Sequence, residues 1–185
     1  MQITGGIYRG RKIKPVKNPA IRPSKAVVRE ALFSILGPES CSGKLVADLF
    51  SGSGIMTLEA VSRGARAAYS VDNNPDSCKL IRSNFALLNV PATTKLLQMS
   101  VAMAISKFSA LNLQFDYIFL DPPYNIPHIG IETIDQAVVA GIVHSETVII
   151  FEHRSKIEIP KCNSMSIWKQ KKYGQSMLSF YVLPH

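Results

Sequence analysis

Cysteine is scarce in this 185-residue chain: Cys41, Cys78 and Cys162 stand far apart, with no Cys-x-x-Cys pair. An odd, scattered set supports neither a disulfide framework nor a zinc site, so reduced thiols in a cytoplasmic protein are expected. No His/Cys/acid cluster has ligand spacing, which leaves no metal to expect. Long apolar runs are missing too. None approaches the roughly 20 residues that a membrane-spanning helix needs, and the opening MQITGGIYRGRKIK lacks the apolar core of a secretory signal. A membrane or secreted protein is therefore not expected. No repeat or low-complexity segment interrupts the chain, whose length suits one sizeable domain.

Acid is also absent where it would be most noticed. Residues 1–29 carry eight Lys or Arg and no Asp or Glu. Residues 30–153 carry seven basic and twelve acidic side chains, and residues 154–185 six basic and one acidic, within a net charge of +8. A solvated surface mixes its signs, as the middle does. The two ends instead fit a polyanionic partner, of which nucleic acid is the commonest.

What is present has a rhythm. Residues 1–23, basic and glycine-punctuated, read as a small hairpin or extended arm. SKAVVREALFSILGP reads as a helix with Ser24 as N-cap, a stripe of Val27, Val28, Ala31, Leu32, Ile35 and Leu36, and Gly37-Pro38 as its stop. From residue 44 strands and helices alternate. KLVADLF, AAYSVD, TKLLQMS, FDYIFLDPP and TVIIFEH are the strands. IMTLEAVSRGA, NNPDSCKLIRSNFALLN (Asn74 as cap, Pro75 at the first position), VAMAISKFSALN and HIGIETIDQAVVAGIV are the helices. SMSIWKQKKYG and QSMLSFYVL alternate enough to close the chain as a hairpin. The fold class is thus α/β: a mostly parallel sheet with helices on both faces, a C-terminal antiparallel hairpin, and a main domain over residues 24–185. Ligands of such sheets bind beyond the carboxyl ends of the strands.

Those ends carry the chemistry. The first reads DLFSGSG, residues 48–54, where glycines let a ligand approach the backbone. The continuation Ile55-Met56-Thr57 departs from the dinucleotide fingerprint, and Asp48 would repel a pyrophosphate but suit a cationic amine. Asp72 ends the second strand, where an acid can accept both hydroxyls of a ribose. Ser100 follows the third, beside an expected adenine contact. The fourth ends Asp121-Pro122-Pro123-Tyr124. This rigid corner fits methyl transfer to an exocyclic ring amine, a poor nucleophile whose lone pair is delocalised. A carboxylate and a prolyl-region carbonyl can accept its two hydrogens while Tyr124 stacks on the ring. Glu152 and His153 end the next strand, where they either border the pocket or cap the sheet.

Together these residues resemble S-adenosylmethionine-dependent, Rossmann-like class I methyltransferases with an Asp-Pro-Pro-Tyr motif. IRPSKAVVREALFSIL (21–36), DLFSGSGIMTLEAVSRGA (48–65), FDYIFLDPPY (115–124) and KYGQSMLSFY (172–181) narrow the resemblance to the bacterial 16S ribosomal RNA guanine-N2 methyltransferases of the RsmD type. It implies S-adenosyl-L-methionine as cofactor and ribosomal RNA or the small ribosomal subunit as partner; a monomer is the default expectation. It implies cofactor contacts from Asp48, Phe50, Ser51, Gly52, Ser53, Gly54, Asp72, Asn73, Ser100 and Val101, and a base pocket from Asp121, Pro122, Pro123 and Tyr124. RNA contacts would come from Arg9, Arg11, Lys12, Arg22, Ser24 and Arg29. The chain departs from the family pattern at Ser24 (usually Thr), at Met56-Thr57-Leu58 (usually Gly-Leu-Gly), at Asp72 (usually Glu) and near Ser100 (usually Asp). The motif alone also suits an adenine-N6 methyltransferase, and a cofactor-binding RNA chaperone without turnover is the reading outside enzymes.

Overall fold

The computed structural model describes residues 1–16, 26–37, 39–123 and 128–184. Arg22, Ser24 and Tyr124, each assigned a role by the sequence, lie outside these residues. Seven strands form one sheet in the order β3-β2-β1-β4-β5-β7-β6. The strands are β1 (Leu45–Asp48), β2 (Ala67–Asp72), β3 (Thr94–Gln98), β4 (Phe115–Leu120), β5 (Val143–Arg154), β6 (Ser166–Tyr173) and β7 (Ser176–Val182). β1 to β5 run parallel, while β7 is antiparallel to both β5 and β6, which makes the C-terminal hairpin.

The helices are α1 (Ala26–Leu36), α2 (Ile55–Ser62), α3 (Pro75–Leu88), α4 (Val101–Ala110) and α5 (Ile129–Val139). Buried side chains of α1, α2 and α3 share one apolar cluster with Val46, Phe119, Ile150 and Phe180. Those of α4 and α5 pack on the other face with Leu49, Phe115, Ile118 and Phe151. The chain winds outward from β1 through β2 to β3, then returns to β4 and β5 on the other side. That reversal leaves a crevice beyond the carboxyl ends of β1 and β4.

Local chemistry explains most element ends. The side chain of Asn74 accepts from the backbone N–H of Asp76 and Ser77, with Pro75 first in α3. Two readings need correction. Val27 is 65% exposed, and Phe33 takes the inward position, its ring edge-on to Phe119 at 5.9 Å. Val28 and Leu32, with Arg29 and Phe33 beside them, set the buried face. The helix read over HIGIETIDQAVVAGIV stops at Val139, because Gly141 turns at φ 70 and Val143 already belongs to β5.

The arm is docked, not free. Residues 1–16 close on themselves through a Gln2–Lys12 bridge and bury Ile3 and Ile13 in the core. The backbone N–H of Ile7 donates to the Ser62 carbonyl (2.8 Å), and that of Tyr8 to Ser62 Oγ (2.9 Å). The wholly buried Glu59 ties the arm to two helices. It accepts from the Thr4 N–H and hydroxyl (each 2.9 Å), from Arg29 Nε (3.2 Å), and from Arg63.

Candidate active site

The glycine turn is held from both sides before any ligand arrives. Ser51 Oγ donates to the Asp48 carbonyl (2.7 Å) and accepts from the Val71 N–H (3.0 Å), stapling β1 to β2. Gly54 enters α2 in the left-handed region, φ 77. The buried Asn84 of α3 donates to the Ser53 carbonyl (3.0 Å) and the Lys14 carbonyl (3.1 Å), and accepts from the Lys14 N–H (2.9 Å). One side chain therefore joins the turn to the arm.

The crevice holds about 620 Å³ of empty space, its open mouth included. Asp48, Phe50, Ser51, Gly52 and Ser53 line one side, and Asp121 and Glu152 the other. Val16, Leu32, Ile55, Met56, Phe119, Ile150 and Leu178 supply apolar walls. Three carboxylates thus meet in a largely apolar cleft.

Asp48 is buried, and burial pushes its carboxyl up to about 7 despite hydrogen bonds from Thr57 and Ser51. Thr57 donates to Asp48 Oδ2 through its hydroxyl (3.1 Å) and its N–H (3.3 Å), and its hydroxyl shares a 2.6 Å hydrogen bond with Ser70. The departure from Gly-Leu-Gly at this point therefore positions an acid of the cleft. Asp72 accepts from the Gly52 N–H at Oδ2 and the Asn74 N–H at Oδ1 (2.9 and 2.8 Å). Burial raises its carboxyl as well. With one backbone bond on each oxygen, lone pairs remain for two hydroxyls. This donor set fits S-adenosylmethionine: a buried acid for an ammonium, an aligned acid for a ribose, and an open glycine turn between them.

Asp121 is the residue just beyond β4. Desolvation, then the charge of Glu152, then that of Asp48 push its carboxyl well above the usual range. The β4–β5 ladder ends at Leu120 opposite Phe151, so Asp121 and Glu152 are the next residues on adjacent strands. Pro122 is buried and Pro123 exposed, as a rigid step out of the sheet would leave them.

Not every expected residue reaches the cleft. Asp72, Asn73, Gly54, Ser100 and Val101 sit at strand ends beside it without lining it. Ser100 Oγ is engaged as the N-cap of α4, accepting from the Met103 N–H (3.3 Å). Arg29 requires the clearest correction: it is 2% exposed, with Nε on Glu59 and Nη2 on the Gln2 carbonyl (2.9 Å), so it braces the arm and cannot touch RNA. Arg9, Arg11 and Lys12 are exposed on the arm.

Of the pair left open at the end of β5, Glu152 lines the cleft. His153 faces the opposite way, its Nε2 2.8 Å from Ser179 Oγ, and burial lowers its basicity. Thr57 and Asn84 were not legible as site residues, because each acts on a group distant in sequence.

Comparison with known proteins agrees with this fold. A putative rRNA methyltransferase, YlbH, of Bacillus subtilis is 27% identical over 184 residues, 98% of each chain. Ribosomal RNA small subunit methyltransferase D of Escherichia coli is 28% identical over 182 residues, 98% of this chain and 89% of its own. A solved structure of a conserved hypothetical protein from Streptococcus pyogenes is 34% identical and superposes with a TM-score of 0.75, over 85% of this chain and 96% of its own. The family model described as conserved hypothetical protein 95 matches residues 1–182, and the chain belongs to that family, the RsmD type of methyltransferase.

Proposed function

We propose that the protein transfers a methyl group from S-adenosylmethionine to the exocyclic N2 of a guanine in small-subunit ribosomal RNA. The observation that carries the choice of base is the side-by-side pair Asp121 and Glu152 on the cleft wall. Guanine offers two adjacent donors there, N1–H and the N2 amine, whereas adenine offers a donor and an acceptor. When Asp121 is ionised the pair only accepts, so it matches guanine and sets a lone pair against adenine N1. The ribosomal substrate is suggested by the relatives' names and by the basic arm.

In this reading Asp48 holds the cofactor's ammonium and Asp72 its ribose, with Phe50, Ser51, Gly52 and Ser53 walling the space between. The cofactor supplies an electrophilic methyl on a positively charged sulfur, which departs as a neutral thioether. Asp121 accepts one amine hydrogen and a carbonyl of the Pro122-Pro123 corner the other, turning the nitrogen lone pair toward that methyl. Glu152 accepts from N1–H, and Tyr124 stacks on the ring. No strong base is needed, since the amine becomes acidic once methylated. Arg9, Arg11 and Lys12 bind phosphates and fix position, helping to offset the few kcal/mol that unstacking the base costs.

The test is direct. Labelled cofactor is incubated with unmodified small-subunit RNA or particles, which are then digested to nucleosides. N2-methylguanosine is expected; N6-methyladenosine would overturn the base assignment. Asp121→Ala should abolish transfer and keep RNA binding, and a wild-type protein that binds RNA but never transfers would return the non-catalytic reading.

A further inference from the structure

Strand β6 is an edge of the sheet, and its sequence SIWKQKKY carries three lysines and no acid. Ile167 and Trp168 on it are 50% and 54% exposed. Lysine on an edge strand discourages pairing with other sheets. An exposed Ile-Trp pair works against that purpose and needs another reason.

The register supplies one. Glu152 pairs with Leu178 of β7, and Leu178 pairs with Lys171 of β6. Glu152 and Leu178 both line the cleft, so Lys171 continues the same row two strand spacings, about 10 Å, outward from the acid. Lys169 sits opposite Phe180, in the row below and on the same face. Trp168 lies at the irregularity between Ile167 and Lys169, its ring at 86° to that of Phe180 with centroids 6.0 Å apart. Lys169 Nζ stands 5.7 Å from the indole centroid. An aromatic surface flanked by cations thus continues the cleft wall into solvent.

We propose that this face of β6 is a second RNA contact, on which an unpaired nucleotide flanking the target stacks on Trp168 while Lys169 and Lys171 hold its phosphates. It rests on the reading that the substrate is RNA, and it adds where the strand lies beside the cleft. Aromatic side chains that every base can stack on, alternating with cations that track the backbone, are the general means of gripping single strands. The net positive charge of residues 154–185 suits the same occupant.

The chain has one tryptophan, so its fluorescence reports this contact alone. Titrating the intact protein with a single-stranded RNA heptamer carrying a central guanosine should quench Trp168 saturably and in a salt-sensitive way. Trp168→Ala should weaken heptamer binding by about tenfold or more. Trp168→Phe should retain most of the affinity, and both should melt within a few degrees of the parent. Replacing Lys169 and Lys171 by Ala should lower the slope of log affinity against log salt by about 1.4. For small-subunit particles, Trp168→Ala should raise KM and leave kcat in place. An unquenched Trp168 together with an unchanged KM overturns the proposal. So does a dimer of this chain that buries β6 while RNA affinity stays at the parental value. Quenching without methyl transfer would refute the proposed activity and keep this surface; N2-methylguanosine formed with Trp168 unquenched would do the reverse.

Discussion

Replacing Glu152 by Gln separates two effects that its place in the cleft produces together. The first is electrostatic. Asp121, just beyond β4, and Glu152, in β5, stand side by side on adjacent paths of the sheet, about 5 Å apart. Two like charges at that separation repel by about 3 kcal/mol at an effective dielectric of 20, and by about 1 kcal/mol if water screens them fully. Removing one should lower the Asp121 carboxyl toward the ordinary carboxylate range. In the proposed mechanism ionised Asp121 is the stronger acceptor for the amine hydrogen, and its carboxyl stands above the ordinary range, so activity should be highest at high pH and fall as pH drops through the raised value. The acid limb of kcat should therefore move to lower pH in the variant. The second effect is recognition. Gln keeps an acceptor but loses its charge, a difference of about 1–1.5 kcal/mol, so kcat/KM for guanine should drop about five- to tenfold above the limb. Both are read from one pH series at saturating cofactor, with Glu152→Asp included to keep the charge. An acid limb that stays in place in Glu152→Gln would refute the coupling, and an unchanged kcat/KM would refute the reading of the base.

Asp48, pushed up to about 7 by burial, should release a proton when a cationic ligand binds near neutral pH. Calorimetry of S-adenosylmethionine binding in buffers of different ionisation enthalpy should show that release growing below pH 7 and vanishing in Asp48→Asn. A raised carboxyl contributes stability below its unfolded value that is lost as pH rises through the folded one. Asp48→Asn should thus stabilise the ligand-free protein at pH 8, by up to about 4 kcal/mol, while weakening cofactor binding. Arg29→Ala leaves Glu59 less compensated in the core and should cost about 3–5 kcal/mol, lowering the melting temperature by about 6 °C or more with the salt slope of RNA binding intact. Replacing Arg9, Arg11 and Lys12 together by Ala should do the opposite: melting near that of the parent, and a salt slope shallower by about 2.

The sequence disclosed the sheet because each parallel strand is a short apolar run closed by polar residues and followed by a helix with visible caps, Asn74-Pro75 being the clearest. It disclosed Asp48, Asp72 and Asp121 because an acid at the end of a strand lies in or beside the crevice that such sheets create. Arg29 misled because charge counted along the chain says nothing of what lies opposite. Its partner is thirty residues away on another helix, and the pair converts an apparent RNA contact into a brace for the arm.

Thr57 marks a subtler limit. In the sequence it stands only as part of a departure from the family pattern, yet its hydroxyl joins Asp48 to Ser70 across two strands. Without those hydrogen bonds the buried acid would be still harder to ionise, so a residue that touches no ligand sets how readily Asp48 can meet a cation. Glu152 lies at the same kind of strand end as the other acids, and only the register against β4 decides that it stands beside Asp121. The acids proposed to hold the cofactor can therefore be read one strand at a time. The pair proposed to select the base requires the order of the strands, which brings β4 and β5 side by side.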